Sequence, residues 1–285
     1  MARVIAVANQ KGGVGKTVTS INVAAALARA GRKTLLVDLD PQGHCGIGTG
    51  FDTEGAQKTT YDLLTERGVG VQDVAVARDL KSANGNLWFV PSNLRLSLAE
   101  RELERTYSLP NLVLAGKLKA VQDKYDEIVL DCPPSLGKLT LNAFLACNMV
   151  LIPIAVGYFS IHGVRMLAET LKDIFEETGV DYDIRCLITR FKAGQTVSRE
   201  VKAAATALFA DYCFETVIRD SVDVEKSVGA QVPVIEFAPG SPAAMDYLKL
   251  AEELLTPRAA PADKRGAPVM KGEVPPNLGA AGETP

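Results

Sequence analysis

The sequence lacks an apolar run that could cross a membrane. No stretch approaches the roughly 20 apolar residues that a membrane-spanning helix needs. No positively charged segment precedes an apolar one at the start, because the first apolar run begins within a few residues of Met1. These absences argue against an integral membrane protein and a secreted one, and we expect a cytoplasmic protein.

Histidine is scarce, and the cysteines form no recognisable motif. Only His44 and His162 are present, which rules out a histidine-rich metal site, and His162 is expected to be structural rather than a catalytic base. The five cysteines contain no CxxC pair and are odd in number, which indicates free thiols. Cys147 and Cys186 lie in or beside apolar runs and are predicted to be core residues.

The chain also lacks a strong excess of positive charge. It has 285 residues, a formal net charge of −3 and a sequence pI near 5.6, which excludes a polycation. Any contact with nucleic acid must therefore come from a local basic patch. The hydrophobic fraction of 47% is ordinary for a globular protein of this length.

Predicted strands and helices alternate along the chain. Short runs rich in β-branched residues predict strands, and apolar residues at helical spacing predict helices. The pattern is typical of the α/β class, in which helices cover both faces of a mostly parallel sheet. Strands are predicted at 4–8, 34–37, 87–90, 127–130, 149–154 and 184–189, helices at 18–30, 96–106, 110–124, 160–177, 197–211 and 242–255, and a loop at 41–60.

The composition changes near the end of the chain. Residues 257–285 are rich in proline, glycine and alanine and contain few large apolar side chains. Such a segment cannot bury enough surface to offset the entropic cost of ordering. We predict one α/β domain at 1–256 and a disordered tail at 257–285, which is either a flexible end or a tether for a partner.

The octet Gln10-Lys11-Gly12-Gly13-Val14-Gly15-Lys16-Thr17 lies between the first predicted strand and helix. Its second half fits the phosphate-binding pattern G-x-x-x-x-G-K-[ST], whereas Gln10 replaces the first glycine and Lys11 adds a second lysine. In a strand–loop–helix unit, backbone N–H groups and the helix N-terminus converge on phosphate oxygens. The octet therefore predicts a phosphate site, and an accidental glycine-rich turn is the alternative.

Two predicted strands end in aspartate. Asp38 and Asp40 follow the second strand, and Asp131 follows the run at 127–130. In an open α/β sheet, ligands bind at the carboxyl ends of the strands, and an acid placed there near a triphosphate helps to hold Mg²⁺. The alternative is a carboxylate that caps a helix or a turn.

The segment KGGVGKT resembles the deviant Walker A motif of the ParA/MinD family of P-loop ATPases. The resemblance implies a P-loop NTPase fold with ATP and Mg²⁺ as ligands. It implies that Lys11 is the signature lysine, which reaches the nucleotide of a partner subunit. Lys16 would bind the β- and γ-phosphates and Thr17 would ligate Mg²⁺. The nucleotide-binding residues implied in this way are Lys11, Gly12, Gly13, Val14, Gly15, Lys16, Thr17 and Val18.

Two further segments resemble the switch regions of the same family. VDLDPQG is similar to switch I, which implies that Asp40 positions the attacking water. LDCPPSLG is similar to the Walker B and switch II stretch, which implies that Asp131 holds Mg²⁺ through water. Lys11, Lys16 and Asp40 would then be the catalytic residues, and hydrolysis would depend on an ATP-bound homodimer.

The resemblance is looser for the base and for DNA. The segment at 217–221 is similar to the family's adenine-contacting segment that begins I-P-R, and Asp220 is the preferred contact, with a solvated loop charge as the alternative. DNA binding would use Lys192, Arg199 and Lys202, whereas Asp220 and Asp223 would repel phosphates. The alternative is a solvated helix face.

The resemblance extends over residues 2–256 and is closest to the short ParA/Soj proteins. It implies an ATPase that partitions or positions plasmid or chromosomal DNA, or another large cargo. The ATP-bound dimer would bind nucleoid DNA non-specifically, and a ParB-like adaptor would stimulate hydrolysis. The alternative is a MinD-like regulator of division or flagellar placement, but the sequence has no basic amphipathic end, and we expect no membrane partner. An iron–sulfur ATPase is disfavoured because Cys132 follows Asp131 too closely.

Overall fold

The structure is a computed structural model that describes residues 1–156, 160–209 and 212–257. Only the backbone is described at 160–163, 165 and 208. The predicted tail beyond 257 and the predicted role of His162 lie outside the described residues.

The described part of the chain contains a seven-stranded sheet in the order β3-β4-β2-β5-β1-β6-β7. All neighbouring strands are parallel except β3, which runs antiparallel to β4 at the edge. This arrangement confirms the predicted mostly parallel sheet. The strands are β1 Arg3–Val7, β2 Thr34–Asp38, β3 Val76–Ala77, β4 Leu87–Val90, β5 Glu127–Asp131, β6 Met149–Ala155 and β7 Asp183–Thr189.

Helices connect the parallel strands. Three short 3₁₀ helices also occur in the described residues, at Lys81–Ala83, Leu94–Leu98 and Pro110–Leu112. The α-helices are α1 Lys16–Arg29, α2 His44–Gly48, α3 Thr60–Thr65, α4 Val71–Val74, α5 Ala99–Thr106, α6 Val113–Lys119, α7 Lys138–Ala146, α8 Ser160–Thr178, α9 Thr196–Phe209, α10 Val222–Gly229, α11 Val234–Phe237 and α12 Pro242–Leu255. None of the helices in the described ranges is long and apolar enough for a bilayer crossing.

Helices cover both faces of the sheet, as predicted. Side chains alternate across each strand, so Ala6 of β1 belongs to one buried cluster and Ile5 and Val7 to the other. The first cluster includes Leu103, Phe144, Leu171 and Phe209 from α5, α7, α8 and α9. The second includes Leu27 of α1 and Leu250 of α12.

The strand register places the two predicted acids next to each other. Asp131 at the end of β5 pairs with Val7 of β1 on one side and with Asp38 of β2 on the other. The loop that follows β1 therefore begins beside Asp131, and Asp38 lies one strand further along the sheet. The sheet itself thus brings the glycine loop and the acidic residues to one edge.

Several sequence-based boundaries are wrong. The segment predicted as a loop at 41–60 contains the short helix α2, and the helix predicted at 110–124 is a 3₁₀ turn followed by α6, which ends at Lys119. The prediction also missed α10, whose first turn is capped by the Ser221 hydroxyl, which accepts a hydrogen bond from the backbone N–H of Asp223. Short helices of this kind are fixed by caps and by packing rather than by a long apolar stripe.

Candidate functional site

The glycine loop adopts a conformation that requires glycine. Gly13 and Gly15 have φ of 73° and 88°, in the left-handed region that glycine occupies most easily. A Cβ atom added at Gly12, Gly13 or Gly15 would meet no atom within 4 Å. The loop is therefore open on the side where these glycines line a cavity of about 420 Å³. Gly15 also lies immediately before α1, so the N-terminus of α1 faces the loop.

Two polar side chains hold the loop in place. The Asn9 side chain donates from Nδ2 to the carbonyl oxygen of Pro153 at 2.7 Å, and its Oδ1 accepts from the backbone N–H of Lys11 at 3.0 Å. The Thr189 hydroxyl, at the end of β7, donates to the carbonyl oxygen of Val14 at 2.8 Å. Sequence reasoning missed Asn9, although it is a polar residue directly after a buried strand.

The two loop lysines occupy different environments. Lys16 is buried, and its Nζ donates to the carbonyl oxygen of Lys11 at 3.1 Å. Burial lowers the pKa of Lys16, and the nearby carboxylates of Asp131 and Asp40 oppose that shift. The Lys11 side chain is exposed. Lys16 therefore faces the enclosed site, whereas Lys11 is available to a group outside the subunit.

The Asp131 carboxylate lies at the centre of a buried hydrogen-bond network. It accepts from the Ser20 hydroxyl at 2.8 Å and from the Cys45 thiol at 3.4 Å. Burial raises the pKa of Asp131 to about 6, and hydrogen bonds from Ser20, Thr17 and Cys45 oppose that rise. Sequence reasoning missed Ser20 and Cys45, because neither belongs to a motif.

The buried Asp38 shapes the segment that follows β2. Its carboxylate accepts from the backbone N–H groups of Asp40 at 2.9 Å and of Cys45 at 3.1 Å. Burial and the charge of Asp131 raise the pKa of Asp38 well above its usual range. Asp38 therefore organises the backbone, whereas Asp40 is only partly buried and lines the cavity.

The arrangement fits a divalent cation. The Thr17 hydroxyl is close enough to Asp131 to help lower the pKa of that carboxyl, so both oxygen donors can face one ion. Asp38, Cys45 and Asp131 also offer ligand atoms within 4.8 Å of one another. Hard oxygen donors beside a phosphate loop suit Mg²⁺, and the roles of Thr17 and Asp131 as its ligands stay a prediction.

The structure brings most of the predicted site residues around one cavity. Of the predicted nucleotide-binding set, Lys11 does not line the cavity, and neither does Val14, whose side chain is buried in the protein. Asp131 is fully buried and does not line the cavity. The cavity is lined by Gly12, Gly13, Gly15, Lys16, Thr17, Val18, Asp40, His44, Pro134, Thr189, Arg190, Ile218, Arg219, Asp220, Ser221, Val224, Glu225 and Tyr247.

The predicted adenine contact lies at the far end of the cavity. The Asp220 carboxylate is 3.5 Å from Nε of Arg190 and 3.2 Å from Nζ of Lys192. Its neighbour Arg219 forms a two-pronged ion pair with Asp246 of α12, with contacts from 2.7 Å. Asp220 thus lines the cavity, and its carboxylate pairs with the side chains of Arg190 and Lys192.

The predicted DNA-binding residues do not share one environment. Lys192 is exposed but paired with Asp220, whereas Arg199 is exposed and Lys202 is half-buried, both on α9. Arg199 and Lys202 lie three residues apart and share a helix face. Their contribution to DNA binding stays a prediction.

Comparisons with known proteins agree with this geometry. A family model described as an AAA domain matches residues 2–184. The sporulation initiation inhibitor protein Soj of Bacillus subtilis is 36% identical over 255 residues, which cover 89% of this chain and 98% of Soj. The chromosome partitioning protein ParA of Myxococcus xanthus is 36% identical over 259 residues, covering 90% of this chain and 88% of that protein.

One similar solved structure holds a nucleotide. It is described as cobyrinic acid a,c-diamide synthase from Mycobacterium smegmatis with bound ATP analog and magnesium. It superposes with a TM-score of 0.74 at 30% identity and covers 90% of this chain and 95% of its own.

The fold and the glycine loop define a P-loop NTPase. The extent of these matches also identifies the family within this class of proteins. It belongs to the ParA/MinD family of ATPases.

Proposed function

We propose that the protein is a Mg²⁺-dependent ATPase of the partition type, which hydrolyses ATP to ADP and phosphate. One observation carries the proposal: Lys16, Thr17 and Asp40 line a single cavity with the open glycine loop, and the buried Asp131 acts on the charge of Lys16. The relatives named for chromosome partitioning support the same assignment.

Each residue of the site would have a different role in phosphoryl transfer. Lys16 would contact the β- and γ-phosphates and neutralise charge that develops on them. Thr17 and, through water, Asp131 would hold Mg²⁺, which supplies charge neutralisation at the phosphate oxygens. The partly exposed carboxylate of Asp40 would accept a hydrogen bond from the attacking water and align it with the γ-phosphate.

The exposed position of Lys11 supports action across a subunit interface. Its backbone helps to shape the loop, because its N–H and carbonyl are bonded to Asn9 and Lys16, while its side chain points away into solvent. In a face-to-face homodimer this ammonium would reach the partner's phosphates. Hydrolysis would then depend on ATP-driven dimerisation.

The cellular role proposed here is partition or positioning of a large cargo. The ATP-bound dimer would bind nucleoid DNA without sequence preference through Lys192, Arg199 and Lys202. A ParB-like adaptor on plasmid or chromosomal DNA, or on another cargo, would stimulate hydrolysis and release the dimer. The protein would act in the cytoplasm at the nucleoid, without a membrane partner.

Binding to random duplex DNA tests this role. The protein is measured with Mg-ATP, with Mg-ADP and without nucleotide, at several salt concentrations. Partition predicts binding that requires ATP, weakens with salt and ignores sequence. Equal binding in all three states would contradict a nucleotide-controlled DNA clamp, and sedimentation with liposomes would favour a MinD-like role.

Replacement of Lys16 tests the nucleotide site. Lys16→Ala removes the buried ammonium, and we expect ATP affinity to fall at least tenfold because a charge-assisted phosphate contact is lost. Isothermal titration calorimetry with a non-hydrolysable ATP analogue measures the loss. Unchanged affinity would show that phosphate binds elsewhere.

Replacement of Asp40 tests the catalytic step separately. Asp40→Ala leaves Lys16 and Thr17 intact, so we expect ATP binding to persist while hydrolysis falls and the ATP-bound dimer accumulates. Light scattering with Mg-ATP reports the mass, and phosphate release reports the rate. Hydrolysis at the parental rate would refute the role given to Asp40.

A further inference from the structure

His44 lies at the end of the cavity where a terminal phosphate belongs. The sheet order is β2-β5-β1-β6-β7, so the end of β2 and the end of β7 lie on opposite sides of the glycine loop after β1. Asp220 and its neighbours pair with the segment after β7, and they form one end of the cavity. Asp40 and His44 follow β2 and form the other. A nucleotide with its base near Asp220 therefore directs its last phosphate toward His44.

The backbone of His44 is held rigidly. Gly43 has φ of 64°, and a Cβ atom there would be 2.7 Å from the carbonyl oxygen of Ser92. Added Cβ atoms at Gly46 and Gly48 would overlap the side chains of Thr53 and Ile21. The helix α2 is thus packed so closely at Gly46 and Gly48 that no side chain fits at those two positions. His44 at its first position has a fixed place at the cavity edge.

The imidazole of His44 is available for a ligand. The side chain is exposed and lines the cavity, and among the described residues no hydrogen bond or ion pair holds it. A neutral imidazole has one N–H donor and an imidazolium has two. Phosphate oxygens are acceptors, so either form can donate to them. The neighbouring Asp40 carboxylate cannot, because it has only acceptor oxygens.

We propose that His44 donates a hydrogen bond to the terminal phosphate of a bound nucleoside triphosphate and so discriminates ATP from ADP. The inference rests on the proposed nucleotide-binding function and adds to it a residue outside the glycine loop. Asp40 and His44 have complementary roles, since the carboxylate accepts from water and the imidazole donates to phosphate. Because ADP lacks the terminal phosphate, only the triphosphate gains this contact.

Nucleotide affinities of His44 variants test the inference. His44→Ala, His44→Gln and the control Gln42→Ala are titrated with a Mg-bound non-hydrolysable ATP analogue and with Mg-ADP. Gln42 is a suitable control because it is exposed on the same segment but does not line the cavity. For His44→Ala we expect about a tenfold loss for the ATP analogue, as a hydrogen bond to a charged group implies, and less than about twofold for ADP. His44→Gln keeps a donor and should recover part of the loss, and Gln42→Ala should match the parent protein.

The possible outcomes distinguish failure of the role proposed for His44 from failure of the proposed nucleotide-binding function. Equal losses for both nucleotides, or no loss, would overturn the role of His44 while leaving the nucleotide site intact. The same titrations in a Lys11→Ala background remove the cross-subunit contact. Disappearance of the His44 effect there would also overturn the inference, because it would place the effect in dimerisation. If the parent protein bound neither nucleotide, the proposed function itself would fail and this inference with it.

Discussion

The buried carboxylate of Asp131 should reduce the stability of the nucleotide-free protein. Asp131 is fully buried, and the carboxylate of Asp38, whose pKa burial also raises, lies beside it. Ser20 and Cys45 donate to Asp131 but do not offset its burial, since its pKa still rises from 3.8 to about 6. Asp131→Asn keeps the size of the side chain and removes the charge.

The magnitude follows from the raised pKa. A shift of about 2 units corresponds to about 3 kcal/mol of unfolding free energy. A carboxyl whose pKa is raised on folding contributes stability that is fully present below its unfolded pKa, near 4, and is lost as the pH rises through about 6. The Asn side chain of Asp131→Asn does not ionise, so the variant does not lose this stability as the pH rises. We therefore expect the free energy of unfolding of the variant to exceed that of the parent protein by about 1–3 kcal/mol at pH 7.5. This difference should vanish near pH 4.

Urea unfolding at pH 7.5 and at lower pH, with EDTA and without nucleotide, measures the difference. Asp123→Asn is the matched control, because Asp123 is exposed and its replacement should change stability by less than about 0.5 kcal/mol. Mg-ATP should stabilise the parent protein but not Asp131→Asn. A variant that is less stable than the parent protein at pH 7.5 without ligand would refute the reasoning, since it would show that the charged form is favoured on folding.

Two further substitutions test the supports of the site. Thr189→Val removes the hydroxyl that donates to the carbonyl oxygen of Val14. We expect about 1 kcal/mol less stability in urea unfolding and weaker binding of both ATP and ADP by calorimetry. Full nucleotide affinity would show that the loop does not need this hydrogen bond. Gly43→Ala places a Cβ atom 2.7 Å from the Ser92 carbonyl oxygen, at a residue with positive φ. We expect about 1–3 kcal/mol less stability in urea unfolding. Stability equal to that of the parent protein would mean that this turn relaxes freely.

The sequence was sufficient to predict six of the seven described strands and the placement of the main acids, but not the short edge strand β3. Buried parallel strands appear as continuous apolar runs, so the strand predicted at 87–90 matches Leu87–Val90. The rule that parallel strand ends share an edge placed Asp38 and Asp131 at one edge of the sheet, and the register shows that they are paired neighbours.

The remaining parts of the site depend on contacts between distant residues. Ser20 and Asp131 are 111 residues apart, and no local pattern marks either Ser20 or Cys45 as a partner of that acid. The helix α2 was missed because its sequence HCGIG is rich in glycine, which normally disfavours helices. Those glycines are needed where α2 touches Thr53 and Ile21, and that packing becomes visible only in three dimensions.

The helix α12, the last one in the described residues, has a consequence for the synthesis of the chain. Its Tyr247 lines the nucleotide cavity, and the Tyr247 hydroxyl lies 3.3 Å from that of Thr19, 228 residues earlier. Its Asp246 fixes Arg219, which lines the same cavity. A ribosome therefore translates the glycine loop well before Tyr247, which lines the same cavity. The nascent polypeptide carries an incomplete nucleotide pocket until α12 has emerged and packed on α1.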